Sequence, residues 1–574
     1  MTQSYDHIVV GGGAAGCVAA ARLVKAGRRT LLLEAGHSHH HPLLDMPPGI
    51  FKMINGSKFM RYHRTEPQAH LDGRVHEISQ GNVLGGGTSV NAQVYMRGRS
   101  ADYEEWDELL RGNNAGVRWN WQAVLPHFTG MEGNNRLGGE LHGSEGPLLV
   151  SDPGHIDDVS RWFVQAVQGL GLPYNHDFNG PSQRGVGFYQ FMNRRGKRSS
   201  AAYAFIEPLT NDPKLTLKLN CTVSRLLIEN GRVTGVVYSD ASGAEHTVHA
   251  DADVIVSSGA LVSPKLLMLS GIGPAEALAG HGISCVADLP GVGENLIDHP
   301  EVPIIATANG PYGYFRQGQG WRMIKNGLHF KLFGTGTILS AGVEAGAFVN
   351  PADPEGEPTI QAFCVPHVYL DRDILTLVEN TYGLTVTTVV VKPKSRGFVR
   401  LRSADPKDMP IVSPNLLKHP DDMREMISGQ RYFLQVFQTK PLADRVKAIA
   451  VPSQDDLSDE AMTKHCKRFV KTNYHPAGTC RMGSDSDRMA VLDAALRVRG
   501  IDNLRVADMS ACPNINAGNT AAPAMMLGDR CADFIWRRHS AGSSLPTASR
   551  RSRLGRYREE ITQSLKATIK EERA

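Results

Sequence analysis

Gly11, Gly13 and Gly16, in the run Val9-Val10-Gly11-Gly12-Gly13-Ala14-Ala15-Gly16, separate an apolar stretch, Ile8 to Val10, from a small-residue stretch of helical character, Ala14 to Lys25. A second apolar run, Leu31 to Leu33, ends in Glu34. Strand, glycine turn, helix, strand and terminal acid together make a βαβ unit for a dinucleotide. Gly11 permits the tight turn, Gly13 lets backbone approach a pyrophosphate, and Gly16 lets the helix pack closely on the strand. The helix N-terminus at Ala14 and Ala15 then offers unpaired N–H groups and partial positive charge to the phosphates. Glu34, about 20 residues on, is placed to accept hydrogen bonds from ribose hydroxyls, and a carboxylate there disfavours a 2′-phosphate. FAD or NAD fits this unit better than NADP.

The chain has 574 residues, 41% hydrophobic and 21% charged, the balance of a globular protein with a large core. No segment approaches the ~20 uninterrupted apolar residues of a membrane span. The first strand starts directly after Met1-Thr2-Gln3-Ser4, which leaves no room for a signal peptide, so a cytoplasmic location is expected. Eight scattered cysteines without a CxxC pair read as reduced, mostly buried thiols. The run His37, His39, His40, His41 lacks carboxylate or thiol partners at ligand spacing and reads as a solvated loop, so no metal is expected. The net charge of +4 resides in the tail, where residues 541–574 carry eight basic and four acidic groups. The body is formally neutral, and nothing in it argues for nucleic acid.

Beyond the first unit the chain departs from simple βαβ repetition, as if a second domain were woven through the first. Short β patterns at 215–219, 223–228, 233–238, 246–249 and 253–257, broken by Asn230-Gly231 and Ser242-Gly243, read as a meander returning to the nucleotide-binding sheet. A helix is expected over 263–269, a strand over 504–507, and a helix from about 520 to 536 with Asn519 as its cap. The fold class is therefore α/β: a Rossmann-type domain of residues 1–153, 213–299 and 476–539, interwoven with an α+β substrate-binding domain of residues 154–212 and 300–475. Residues 540–574 form a basic extension. Leu554, Tyr557, Ile561, Leu565 and Ile569 fall at helical spacing within it, which allows either a docking helix on a membrane surface or an unstructured tail.

A second loop, Gln80-Gly81-Asn82-Val83-Leu84-Gly85-Gly86-Gly87-Thr88-Ser89-Val90-Asn91, has enough consecutive small residues for backbone to approach a flat or phosphorylated ligand. Together with Met96-Arg97-Gly98, the stretch from Ser258 to Pro274, Pro290 to His299, Tyr474 to Gly483, and Asn519-Thr520-Ala521-Ala522-Pro523, it resembles the glucose-methanol-choline (GMC) oxidoreductases. These motifs span Tyr5 to Trp536 in the family's order. The segment Gly171 to Gly180 is similar to the bacterial branch holding choline, sorbose and polyethylene-glycol dehydrogenases.

The resemblance implies FAD, with Gly11, Gly13, Ala14, Ala15, Gly16, Glu34 and Ala35 around adenosine and pyrophosphate. It implies Gly86, Gly87, Thr88, Asn91 and Ala92 along the flavin, Val223 at the adenine, and Ala507 and Asp508 near the ribityl chain, with Asn519 and Thr520 completing the cofactor set. Some relatives tether FAD through a histidine just before the equivalent of Asn91; this chain has Val90, so the FAD is expected to dissociate. His475 matches the family's active-site histidine, whose neutral imidazole suits proton abstraction, and Asn519 matches its partner. Glu344, Phe363, His367 and Tyr474 are weaker candidates for the substrate pocket. The expected reaction is oxidation of a primary alcohol or polyol, with electrons passed to a quinone or another acceptor. An oxygen-dependent oxidase is the near alternative, which Asn473 disfavours. A hydroxynitrile lyase with structural FAD and a flavin carrier are remoter ones.

Overall fold

The computed structural model describes residues 4–54, 56–371, 374 and 378–541. The C-terminal helical pattern from Leu554 to Ile569 lies outside the described residues.

A five-stranded sheet forms the first layer, in the order Leu215–Lys218, Thr30–Leu33, His7–Val10, Val254–Val256, Leu504–Val506, and every pairing in it is parallel. The three central strands are buried throughout, as the continuous apolar runs of a parallel sheet covered on both faces require. The helix Ala14–Lys25 crosses between the first two of these strands, and nine of its twelve residues are buried. Its alanines and Gly16 keep it thin, and the long helix Ala521–Ala541 packs across it. The expected meander divides between two sheets. Leu215–Lys218 and Val254–Val256 join the parallel sheet, whereas Thr222–Glu229, Arg232–Ser239 and Glu245–Ala250 form an antiparallel meander, to which Ser4–Tyr5 adds as a parallel edge strand beside Glu245–Ala250. The expected helix at Ser263–Leu269 is present.

A seven-stranded sheet forms the second layer, in the order Val446–Val451, Pro300–Ala308, Gly383–Val390, Ile360–Val365, Ala345–Val349, Gly185–Phe188, with Lys471–Thr472 pairing alongside Pro300–Ala308. All its pairings are antiparallel. The helix Pro420–Val436 packs on one side of Gly383–Val390. The other side turns toward the parallel sheet, so every residue of Gly383–Val390 is buried although the strand is antiparallel. Between the two layers lies a cavity of about 430 Å³.

Candidate active site

The two glycine-rich loops meet back to back. The Gly85 N–H donates to the Gly12 carbonyl at 2.7 Å, and a Cβ on Gly86, where φ is +52°, would stand 2.9 Å from the Gly13 Cα. Backbone contact this close leaves no room for a side chain at Gly85 or Gly86. Gly11, Gly13, Ala14, Ala15, Glu34 and Ala35 line the cavity, as do Gly86, Gly87, Thr88, Asn91, Ala92 and Val223. Gly16 stands behind this surface, where a Cβ would lie 1.9 Å from the Gly11 carbonyl oxygen. No side chain caps the helix Ala14–Lys25, and its first turn carries no acid, so its leading N–H groups stay available to an anionic ligand.

Glu34 is more engaged than its position in the motif reveals. One carboxylate oxygen accepts from the Gly12 N–H and the other from the Gly36 N–H, both at 2.7 Å. Burial pushes its pKa up, and these backbone donors pull against that shift. A carboxylate offers about four lone-pair sites, so two remain for a ligand. Asp508 lines the cavity, with one oxygen accepting from the Gly259 N–H and the Ser263 hydroxyl and the other from the Ser510 N–H. Ala507 does not reach it. Its N–H pairs with the Val256 carbonyl and its carbonyl accepts from the Ser257 hydroxyl, which makes it part of the sheet's end.

His475 follows the strand Lys471–Thr472, and its loop is held by two hydrogen bonds. The Tyr474 backbone is left-handed (φ +59°), its N–H donates to the Thr472 hydroxyl, and the His475 N–H donates to Asp298 Oδ1 at 3.0 Å. The imidazole then meets a second one, with His475 Nδ1 and His299 Nδ1 2.9 Å apart. His299 Nε2 lies 3.0 Å from the Val391 carbonyl, which only accepts, so the His299 proton is on Nε2. Burial drives the pKa of His299 down to about 4, so it is neutral and its Nδ1 is an acceptor. The shared hydrogen therefore belongs to His475 Nδ1. Burial first, then the neighbouring His299 and Lys471, hold the His475 pKa well below the ordinary imidazole value. Its Nε2 is left as an acceptor, 3.4 Å from Asn519 Nδ2. Asn519 Oδ1 in turn accepts from Gln361 Nε2, also at 3.4 Å. Both His475 and Asn519 line the cavity.

Profiles of the GMC oxidoreductases match residues 5–301 and 393–528. The chain belongs to the GMC oxidoreductase family. It is 38% identical over 542 residues to an alcohol dehydrogenase (acceptor) of Pseudomonas putida, covering 93% of this chain and 96% of that one. It is 35% identical over 533 residues to an oxygen-dependent choline dehydrogenase of Sinorhizobium fredii, covering 92% and 95%. Among solved structures, a formate oxidase of Aspergillus oryzae, described for its FAD modification, superposes with a TM-score of 0.86 at 28% identity, covering 94% of this chain and all of that one.

This GMC oxidoreductase brings some of the weaker sequence candidates to the cavity and not others. Phe363 and Tyr474 line it. Glu344 does not. It is fully buried and accepts hydrogen bonds from Ser160, Ser340 and Tyr314, a hub that ties strand Ala345–Val349 to its surroundings. His367 is also off the cavity and stacks on Phe315 at 6.3 Å. Asn519 does not cap a helix, since the last helix starts at Ala521 and the Asn519 side chain turns to His475 and Gln361. The histidine run also departs from the sequence reading. The fold brings Glu207 to it, with His39 Nε2 and Glu207 Oε2 3.0 Å apart and a His40 nitrogen within 4.8 Å of both, so a carboxylate partner exists that local spacing could not reveal.

The sequence reading assigned no role to Asp298 and His299, which position His475, or to a buried ionic network on the cavity wall. There Lys471 Nζ lies 2.9 Å from Glu301 and 3.1 Å from Asp371, and Asp371 accepts from the Tyr474 hydroxyl at 2.8 Å. Burial disfavours the ammonium, but the two carboxylates outweigh it and raise the Lys471 pKa. Asp298 and His299 end the motif Pro290 to His299, so that motif was the available signal. Its chemical use rests on a contact 176 residues away.

Proposed function

We propose that this GMC oxidoreductase is an FAD-dependent alcohol dehydrogenase in which His475 is the catalytic base and Asn519 its partner at the substrate oxygen. The observation that carries the reading is the contact of His475 Nδ1 with His299, which leaves His475 Nε2 as the acceptor beside the Asn519 amide on the cavity wall. The cavity fits FAD on its own features: an uncapped helix N-terminus, open space at Gly87, Gly13 with no atom nearer than 3.7 Å to its Cβ position, and Glu34 with lone pairs to spare. Gly11, Gly13, Ala14, Ala15, Glu34, Ala35 and Val223 would hold the adenosine and pyrophosphate, and Gly86, Gly87, Thr88, Asn91, Ala92, Asp508 and Thr520 the remainder. FAD bound there supplies the acceptor for the carbinol hydride. Val90 offers no nucleophile for a covalent bond to it.

The protein's own work is on the proton. His475 Nε2 takes it from the substrate hydroxyl while the Nδ1–H···Nδ1 bond to His299 holds the ring in place. The Asn519 amide donates to the substrate oxygen as negative charge develops there. The helix Ala521–Ala541 begins at the cavity, where Thr520, Ala521 and Ala524 are part of the lining, and its positive end favours that charge. Gln361 and Phe363 alternate with inward residues on strand Ile360–Val365, so Gln361, Phe363 and Val365 share one face. Phe363 and Val365, with Ile50, Phe51, Ala341 and Val343, give the cavity an apolar side, which favours a primary alcohol with an apolar chain over a polyol.

His475→Ala is expected to retain FAD and to lose ~10²-fold or more in the anaerobic rate of flavin bleaching by alcohol. Near-normal bleaching would remove His475 from the role. Oxygen consumption during turnover separates the oxidase reading, and the similarity to an alcohol dehydrogenase (acceptor) supports a carrier such as a quinone.

A further inference from the structure

We propose that the helix Gly320–Phe333 seats this protein on a lipid bilayer with anionic headgroups. The helix is inverted with respect to an ordinary surface helix, because none of its 14 residues is buried and all its large apolar side chains except Phe330 are exposed. Trp321, Ile324, Leu328 and Leu332 follow one another at helical spacing and form one stripe, exposed at 69%, 61%, 56% and 72%. Phe333, 67% exposed, ends it. The side that meets the protein is more polar. Asn326 donates to the Gln317 carbonyl and Arg322 to the Tyr382 hydroxyl, while the Phe330 ring packs over Gly196.

At 100° per residue, Lys325 and Lys331 flank the stripe on either side. Residues 302–343 include Arg316, Arg322, Lys325 and Lys331 and contain no Asp or Glu. The hairpin turn under Phe330 adds Arg195 and Lys197, both exposed, and Lys52 reaches Met323 Sδ at 3.8 Å. A Trp/Leu stripe between lysines, on a helix about 21 Å long, matches a helix lying in a membrane interface, its apolar side among acyl chains and its cations among phosphates. A second copy fits poorly, since a two-fold contact would bring the same cations face to face.

The helix also adjoins the cavity. Lys52 lies in the helix Ile50–Met53, whose Ile50 and Phe51 line the cavity, and the chain leaving Phe333 returns to the cavity wall at Ala341 and Val343. Docking would therefore set the cavity's apolar side beside the lipid. That last step rests on the alcohol dehydrogenase reading; the docking itself does not.

Flotation of the full-length protein tests the docking without any turnover. The protein is expected to float with vesicles of phosphatidylcholine and phosphatidylglycerol and to bind pure phosphatidylcholine vesicles much less. The variant carrying Trp321→Glu, Leu328→Glu and Leu332→Glu is expected to lose roughly tenfold or more of the bound fraction with its yellow absorbance unchanged. A variant with Arg550, Arg551, Arg553, Arg556 and Arg558 changed to Gln is expected to keep floating. Failure of the parent protein to float, or flotation that survives the triple change, overturns the proposal. So does a dimer of the parent protein that the triple change converts to monomer, because the face would then belong to a second copy.

Discussion

Two neutral imidazoles facing each other through Nδ1 can share only one proton, and at this site the Val391 carbonyl decides which ring carries it. His299 thereby works as a positioning residue that fixes the tautomer of His475. Replacing it by leucine removes the acceptor at Nδ1, and it also removes one of the neighbours that hold the His475 pKa down. His299→Leu is therefore expected to keep FAD and to lower kcat/KM by ~10- to 100-fold. A parallel effect is expected in the pH profile. In the parent protein His475 stays unprotonated as pH falls through the ordinary imidazole value of 6.5, so the acid limb lies below that value. In the variant the limb moves up toward it. Equal limbs in the two proteins would show that His299 does not act through the base. Glu344 shows the opposite lesson at this scale. Its apolar sequence neighbours are those of a pocket wall, yet three hydroxyl donors consume its carboxylate away from the cavity.

At the scale of elements, the crossing of Ala14–Lys25 with Ala521–Ala541 sets the distance between the parallel sheet and the start of the last helix. A Cβ on Gly528 would lie 2.2 Å from the Ala15 carbonyl oxygen, so the two helices touch through backbone there. Gly528→Ala forces them apart, with an expected cost of about 1–3 kcal/mol from overpacking. Because Ala15 and Ala521 both line the cavity, the same change is expected to weaken FAD retention on dilution. An unchanged melting temperature would mean that the helices have slack the close contact denies. The βαβ unit and the helix Ser263–Leu269 were legible because their signals are local: a period, a glycine spacing, a terminal acid. The route of residues 215–256 was legible as strands but not as two sheets, since partner choice depends on Thr30–Leu33 and Ser4–Tyr5, some two hundred residues earlier. The same limit hid Asp298, His299, Glu301 and Lys471, whose roles arise only where distant strands meet.

At the scale of the molecule, the cavity is a seam between the two large sheets, and its polar groups come from both sides. Glu34, Gly13 and Asn519 flank the parallel sheet, whereas Phe363, Glu301, Lys471 and His475 belong to the antiparallel sheet or follow its strands. A ligand filling the seam contacts both layers and binds the folded chain alone, so it must stabilise the whole. If the proposed FAD is held without a covalent bond, acid treatment with high salt should release all the yellow colour into the supernatant. The colourless protein should then melt at a lower temperature than the holoprotein. Re-addition of FAD at about a hundred times its dissociation constant should restore about 2.7 kcal/mol of stability, observed as a concentration-dependent rise in melting temperature. Glu34→Ala supplies the control. It removes the carboxylate that holds the Gly12 and Gly36 N–H groups and that is proposed to hold the ribose, so its melting temperature should fall and respond less to added FAD. Colour that stays with the precipitated protein would refute dissociable FAD. A melting temperature indifferent to added FAD would refute the seam as the place where the cofactor joins the two layers.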